Sequence, residues 1–443
     1  MQNNSPEKQN HDNQSQFHSV ALHEENCKGC TICVTHCPVE AIRVQKGKAV
    51  ILEDRCIDCG ECIRVCPNRA KYAKDSSPEL LSKFNTKIAL VSPSFYSQFP
   101  ENISIEKINL ALEFCGFSKI YQVSKSTYPI TEATALYMKN HSGPIISSSC
   151  PAVIKLIQIR FPDLIDNLLP VIPPVELAAI EAKKDNPEAG IIFISPCPAK
   201  ITASRSPLGY SKSMIDGSIT ASSIVVSVLG FLSKISEDFE NTTFEEGNLW
   251  CSSQGEADCL EKLLKENKAT QKKDFSWISA SGMSNVIQVL EDAEDGKLDS
   301  FDFIELNSCI GGCIGGVLNA KPIPLAESIL RKRKKKLQNQ NEELQNTNYT
   351  LPDKIDELLL WNEKISSRPV RLLSPIFSEA KKLMDEIEKV REELPGLDCG
   401  SCGAPNCNAL AEDIVRKRAK KEDCVTILKK QYEQILFGKN KNE

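Results

Sequence analysis

The chain has 443 residues, a formal net charge of −5 and 19 cysteines, so it is longer than one hydrophobic core needs and should form two to four domains. The acidic balance argues against nucleic acid as the main partner, and no apolar run is long enough to span a bilayer. The cysteines are odd in number and clustered, and no signal peptide is predicted, so we expect free thiols and a cytoplasmic location.

The N-terminal part carries a repeated cysteine pattern. Residues 1–18 are polar and are predicted to be a disordered tail, whereas residues 19–76 contain two cysteine runs with short spacings, each closed by a proline. In such a repeat three cysteines bind one cluster and the fourth binds the other. A ferredoxin-like module with two [4Fe-4S] clusters is predicted, one held by Cys27, Cys30, Cys33 and Cys66 and the other by Cys56, Cys59, Cys62 and Cys37.

Apolar runs rich in β-branched residues alternate with helical patterns across residues 87–328. This alternation predicts an α/β domain with a mostly parallel sheet covered on both faces, in one or two lobes. The whole chain is therefore predicted to be multidomain, α+β and α/β. The predicted strands are 87–91, 119–123, 144–147, 191–194 and 301–306, and the predicted helices are 105–114, 132–140, 152–160 and 175–184.

Three cysteines of this domain each follow a predicted strand. Cys150, Cys197 and Cys309 should therefore meet at the edge where the carboxyl ends of parallel strands lie. Cys313 shares a glycine-rich turn with Cys309, and glycine lets a backbone approach a bulky inorganic group closely. These four thiols are predicted to hold another [4Fe-4S] cluster. The alternative is that they are buried free cysteines, which pack as small hydrophobic residues.

The remaining chain contains a basic run and a last cysteine cluster. Residues 329–375 include the run 331–336 (RKRKKK) and are predicted to be a basic and polar helical linker with a solvated helix start, rather than a patch for nucleic acid or an anionic membrane. An amphipathic helix then begins at Phe377. In the small helical domain 376–443, four cysteines suit either a [4Fe-4S] cluster or structural zinc. They are Cys399, Cys402, Cys407 and Cys424.

Three segments of the central domain resemble the signature motifs of the [FeFe]-hydrogenase family, in the family's order. They are residues 148–152 (SSCPA), 195–200 (SPCPAK) and 309–316 (CIGGCIGG). Residues 397–411 also resemble a small four-cysteine [4Fe-4S] domain of redox proteins, which favours iron over zinc. The resemblance covers residues 87–328 and, with the flanking modules, nearly the whole chain.

The resemblance implies specific roles for site residues. Cys150, Cys197, Cys309 and Cys313 would hold a [4Fe-4S] cubane, with Cys313 also bridging to a two-iron subcluster that carries CO, CN and a dithiolate. Lys200 would donate a hydrogen bond to one cyanide, which suits an ammonium facing an anionic ligand. Its alternative is a solvent-exposed lysine at a helix start.

Several motif positions depart from the family pattern. A proton-carrying cysteine usually precedes the first cubane cysteine, and here Ser149 stands in its place. A hydroxyl is a much weaker acid than a thiol, so proton transfer should be slower. Ala203 replaces a glutamate of the usual proton path, whereas Val153, Ser195 and Asn307 replace a usual Trp, Met and Met. The cysteine ligands are therefore complete, while the groups that make turnover fast are missing.

The resemblance implies a ferredoxin-dependent oxidoreductase that oxidises H2 or reduces protons, with low turnover and a role in H2 or redox sensing. Its partners would be H2, protons and a redox protein such as a ferredoxin or an oxidoreductase, and any signal would pass through a partner protein. The alternative is a [4Fe-4S] electron carrier or iron-sulfur assembly factor that lacks the two-iron subcluster. Lys200 favours the first function, whereas Ser149 and Ala203 weaken it.

Three cysteines belong to no motif. Cys115 lies in an apolar helix pattern and is predicted to be a core residue. Cys251 and Cys259 are predicted to be structural, the alternative being an extra metal or redox pair.

Overall fold

The computed structural model describes residues 17–236, 239, 244–266, 275–341, 354–368 and 372–437. The predicted tail, residues 1–18, lies outside the described residues up to position 16, and the structure describes its last two residues, Phe17 and His18. His18 is buried, with Nδ1 2.9 Å from a carboxylate oxygen of Asp58, and Lys155 Nζ lies 2.9 Å from the same oxygen. This buried ion pair joins the N-terminal module to the central domain.

The N-terminal module contains two small antiparallel sheets and two single-turn helices. Its second and third strands form a hairpin, because they pair antiparallel and are joined by Lys46 and Gly47, both with positive φ. The first and fourth strands pair across the module. The elements are β1 (Val20–Leu22), α1 (Ile32–Thr35), β2 (Ile42–Gln45), β3 (Lys48–Ile51), α2 (Glu61–Arg64) and β4 (Lys71–Ala73).

The central domain contains two parallel sheets, as predicted for two lobes. The first has the strand order β6-β5-β8-β9 and the second β10-β11-β7, and all the pairs in these two sheets are parallel. All five predicted strands are found, whereas β9 and β10 are missing from the prediction. The strands are β5 (Lys87–Val91), β6 (Lys119–Gln122), β7 (Ile145–Ile146), β8 (Gly190–Ser195), β9 (Gly217–Thr220), β10 (Trp277–Ser281) and β11 (Phe303–Asn307).

Helices cover both faces of the first sheet, which confirms the predicted layering. Ile88 and Phe193 pack on one face with alanines of α8, and Ala89 and Ile192 pack on the other with α5 and α10. The predicted helices are found within two residues, except that α6 begins five residues earlier. The helices are α3 (Pro78–Leu81), α4 (Pro93–Tyr96), α5 (Ile105–Phe114), α6 (Thr127–Lys139), α7 (Pro151–Arg160), α8 (Pro174–Asp185), α9 (Pro198–Arg205), α10 (Ala221–Leu232), α11 (Gly255–Glu266) and α12 (Met283–Glu294).

The basic run is not a helix start, because α13 (Ile323–Asn341) begins eight residues before it. Nor is it fully solvated. Arg333 is 1% exposed, and its Nη2 donates to the carbonyl oxygens of Pro100 at 3.1 Å and Ile103 at 2.8 Å. This arginine fastens α13 to the central domain. No described helix is long and apolar enough to cross a membrane.

The C-terminal part contains α14 (Phe377–Glu393), α15 (Cys407–Val415) and α16 (Val425–Phe437), and it packs on the N-terminal module through α15 and the loop before it. Arg43 Nε donates to Asp413 in a buried ion pair, and Arg55 Nη2 lies 2.8 Å from both carboxylate oxygens of Glu412. Val44 N donates to Gly403 O at 2.8 Å. The predicted domain bounds stay predictions, but these contacts dock the two terminal modules on each other.

Candidate metal centres

The eight N-terminal cysteines line two separate cavities. One cavity is lined by Cys27, Cys30, Cys33 and Cys66, and the other is lined by Cys37, Cys56, Cys59 and Cys62. The structure therefore brings together the two sets that the repeat predicts. Backbone N–H groups point at several sulfurs, with Ala41 N 3.2 Å from Cys37 Sγ and Ala70 N 3.2 Å from Cys66 Sγ.

The chemistry of these cavities fits an anionic metal cluster. Burial raises the pKa of the Cys62 thiol to about 12 and that of Cys56 still further, so these thiols need a bound cation to ionise. Lys71 Nζ is buried and has no hydrogen-bond partner among the described residues, although it borders the first cavity. A [4Fe-4S] cluster would supply metal to the thiolates and negative charge to this ammonium.

The four cysteines of the central domain also come together, as their positions after strands predict. Cys150 and Cys197 are the residues before the first prolines of α7 and α9, and Cys309 follows β11. Burial raises the pKa of the Cys197 thiol, and thiolate charge at Cys309, Cys313 and Cys150 raises it further. The four sulfurs are therefore close enough to interact, which suits a shared cluster.

Glycines in the turn that carries Cys313 bring the backbone close to its neighbours. Gly312 has φ +78°, and a Cβ there would lie 2.7 Å from backbone atoms of Ser252 and Ser253. A residue with a side chain at position 312 would clash with Ser252 and Ser253 and displace the turn that carries Cys313.

Beside Cys313 lies a cavity whose lining includes Lys200, Glu256 and Glu305 together with apolar residues. Lys200 Nζ lies 3.3 Å from Cys313 Sγ. Burial opposes the charge of Lys200, but thiolate charge at Cys313, Cys197 and Cys150 outweighs burial and raises the lysine pKa. Lys200 is therefore a partly buried cation at the site, not the solvent-exposed lysine of the alternative prediction.

Two buried carboxyl groups in this cavity are absent from the predicted site. Glu256 Oε2 accepts hydrogen bonds from Ser147 Oγ at 2.6 Å and Ser149 Oγ at 2.9 Å. Glu305 accepts from Asn307 Nδ2 at 2.8 Å and from two backbone N–H groups. Burial raises the pKa of both carboxyls, and the charge of Glu256 raises that of Glu305 further. No local motif marks either residue.

The three unassigned cysteines have different surroundings. Cys251 is buried on the wall of the same cavity, and its thiol donates to Asn248 O at 3.2 Å. Cys115 packs against the core of the first sheet, as predicted. Burial raises the pKa of Cys259, in α11, to about 12.

The C-terminal cysteines gather around a small apolar core. Cys402, Cys407 and Cys424 pack together with buried residues such as Leu410. Cys399 is exposed, and its charge contributes to the raised pKa of the Cys402 thiol, whose main cause is burial. The arrangement suits a four-sulfur metal site with one open edge.

Comparison with known families identifies the central domain. The family model for the iron only hydrogenase large subunit, C-terminal domain, matches residues 85–317, more than half of the chain. The chain belongs to the [FeFe]-hydrogenase family. A 4Fe-4S dicluster domain model matches residues 19–67, and an Fe-S cluster model matches residues 394–426. This hydrogenase-family member is therefore an iron-sulfur protein with cluster modules on both sides of the central domain.

Individual relatives are more distant. An uncharacterized protein of Methanocaldococcus jannaschii is 33% identical over 51 residues, which are 12% of this chain and 23% of that protein. Among solved structures, HydA(deltaEFG), studied for stepwise [FeFe]-hydrogenase H-cluster assembly, covers 64% of this chain and 96% of its own, with 14% identity and a TM-score of 0.43. A variant of the [FeFe]-hydrogenase HydA1 from Chlamydomonas reinhardtii covers 65% and 98%, with 12% identity and a TM-score of 0.44.

Proposed function

We propose that this protein oxidises H2 or reduces protons at a site held by Cys150, Cys197, Cys309 and Cys313, at low turnover. The observation that carries this proposal is the cavity beside Cys313, which combines the Lys200 ammonium with buried carboxyl groups. When bound, a cubane joined through Cys313 to a two-iron subcluster would supply the redox chemistry.

Lys200 binds and orients anionic ligands in this cavity. Its side chain is partly buried, and its ammonium offers three donors, of which one points at Cys313 Sγ and the others remain for a ligand such as cyanide. The raised pKa keeps the group charged across the physiological range, so it stabilises negative charge and does not act as a base.

Glu256 holds and moves a proton beside the site. Burial raises its pKa, so the neutral acid is populated at a pH where an exposed glutamate is ionised. Its Oε2 is hydrogen-bonded to Ser149 Oγ, the position that replaces the usual cysteine. A proton can therefore pass between Glu256 and the cavity through a hydroxyl, but more slowly than through a thiol.

Electrons are proposed to travel through the N-terminal module. Arg64 Nη2 donates to Gly315 O at 2.6 Å, which fixes α2 of that module against the turn of Cys309 and Cys313. Cys37, Cys56 and Cys59 also pack in the same core cluster as Cys150, so the cavity that they line with Cys62 adjoins the central domain. A redox partner such as a ferredoxin or an oxidoreductase would exchange electrons at the outer clusters, and a sensing role would use the same route.

A second candidate function is that of a [4Fe-4S] electron carrier or assembly factor without the two-iron subcluster. The observation that favours it is Ser149, which lacks the acidity of the family's proton-carrying cysteine.

The two candidate functions predict different infrared spectra. We expect the protein, purified without oxygen after co-expression with the proteins that mature the two-iron subcluster, to show CO and CN stretching bands and H2 uptake. Absence of these bands in protein that carries about sixteen irons, the content of four cubanes, would exclude the hydrogenase function and favour the electron carrier.

Restoring the thiol should speed turnover. We expect Ser149→Cys to raise H2 production at least about tenfold, because a thiol transfers protons more readily than a hydroxyl. The rate with a saturating electron donor measures this, with Ser148→Cys as a matched control, since Ser148 Oγ points away to the carbonyl of Val171. Equal rates in the native protein and Ser149→Cys would place the slow step elsewhere.

A further inference from the structure

Lys71 is a buried lysine in the N-terminal module whose ammonium has neither a hydrogen-bond partner nor a carboxylate partner among the described residues. It is the first residue of β4, is 3% exposed, and pairs in register with Leu22 of β1. Its neighbour Tyr72 points to the other face, where its ring stacks on His23. The Lys71 side chain therefore lies inside the module, and its Nζ makes no hydrogen bond to any described residue.

The Lys71 ammonium lies near cysteines of both predicted clusters. The residue lines the cavity of Cys27, Cys30, Cys33 and Cys66. Burial raises the pKa of the Cys33 thiol, and the charge of Lys71 opposes that rise. The same two effects act on Cys62, a member of the other set. Lys71 therefore lines the first cavity, and it lies beside the second cysteine set because β4 packs against α2, the helix that carries Cys62.

An unpaired ammonium in this position is unfavourable without an anion. Moving an ion out of water costs several kcal/mol even after the protein relaxes, whereas an apolar residue at the same position would pack without that penalty. A cluster with four thiolates is anionic and becomes one unit more negative when it accepts an electron. Lys71 therefore has its strongest partner in the reduced clusters.

We propose that Lys71 tunes both clusters of the N-terminal module, its ammonium stabilising their reduced states and so raising their reduction potentials. In each step one electron from an external reductant enters one cluster, and no bond forms or breaks. The effect would hold electrons in this module between the central site and the partner. The proposal depends on cluster binding by the two cysteine sets and is independent of H2 chemistry at the central site.

The test is an anaerobic redox titration of the full chain, followed by electron paramagnetic resonance of the reduced clusters. We expect Lys71→Met to lower the reduced-to-oxidised ratio of the module's clusters at least about tenfold at a fixed potential, which is ~59 mV for one electron. Lys28→Met is the matched control, because Lys28 lines the same cavity but is exposed, so solvent screens its charge. In Lys28→Met the reduced-to-oxidised ratio of the clusters should change less than about twofold.

Two further variants separate charge from folding. Lys71→Arg keeps the charge and should stay within about threefold of the native ratio, whereas Lys71→Gln should behave like Lys71→Met. If both neutral variants lose iron while Lys71→Arg keeps it, the charge is needed to hold the clusters, and the proposal stands. Neutral variants with full iron content and native midpoints would overturn it, as would loss of iron in all three. The titration needs no two-iron subcluster, so missing CO and CN bands would not affect it.

Discussion

Glu256→Gln is expected to slow both H2 production and H2 oxidation by at least about a hundredfold, the usual contribution of a positioned proton-transfer group. Glutamine keeps the shape of the side chain and can still accept from Ser147 Oγ and Ser149 Oγ, but it cannot hold a transferable proton. Lys200 and Cys313 are unaffected. The loss should therefore appear in turnover, while the clusters still accept electrons from a chemical reductant.

A second readout distinguishes proton transfer from a structural role. Buried carboxylic acids give an infrared C=O band that shifts in D2O, and Glu256 should contribute to such a band well above the ordinary glutamate pKa of 4.5, because burial raises its pKa. As the pH rises through the raised value, the acid ionises and the band disappears. Glu256→Gln should remove this contribution at every pH.

The matched control is Glu176→Gln. Glu176 is also buried with a raised pKa, and it accepts from Ser213 Oγ at 2.7 Å and from Met214 N at 2.6 Å, but it does not line the cavity beside Cys313. Glu176→Gln shows how much turnover falls when a buried carboxylate away from the cavity is lost, and we expect turnover to stay near the native rate. Native turnover in Glu256→Gln, with cluster content intact, would remove Glu256 from the proton route.

The cysteine sites were accessible from sequence because their signals are local or follow a simple rule of topology. Short spacings around Cys30 and Cys59 force neighbouring thiols together, whatever the rest of the chain does. Cys150 and Cys197 each follow a strand, and parallel strands place such residues at one edge. In both cases the prediction required no knowledge of distant contacts.

The residues around the clusters could not be found in this way. Glu305 lies in a short buried strand and Glu256 lies in an amphipathic helix, so only the packing of α11 beside β11 makes them neighbours in the cavity. Lys71 and Arg333 are also charged residues that tertiary packing buries, and no local sequence signal marks them. Charged residues usually remain in solvent, and a sequence does not mark the few that tertiary packing buries.

Asp413→Ala is expected to destabilise the docking of the C-terminal module by about 3–5 kcal/mol, because it leaves the buried Arg43 guanidinium without its counter-ion. Both side chains of this pair are almost fully buried, and Arg43 Nη1 is held by the carbonyl oxygen of Glu40 at 2.8 Å, so the arginine cannot easily turn to solvent. The change should appear in urea unfolding and as faster proteolysis within residues 376–437.

Two variants show whether the effect belongs to the buried charge. Arg43→Met combined with Asp413→Leu removes both ions and should recover most of the stability, since an apolar pair of similar volume often replaces a buried ion pair without loss. Glu388→Gln breaks an exposed pair with Arg391 in α14 and should change stability by less than about 1 kcal/mol. Asp413→Ala and Glu388→Gln could instead lower the free energy of unfolding equally little. That result would mean that the Arg55–Glu412 ion pair and the Val44–Gly403 hydrogen bond hold the modules together. In that case the C-terminal cluster would keep its place beside the N-terminal module through contacts that tolerate loss of the buried pair, and electron exchange between the two modules should survive Asp413→Ala.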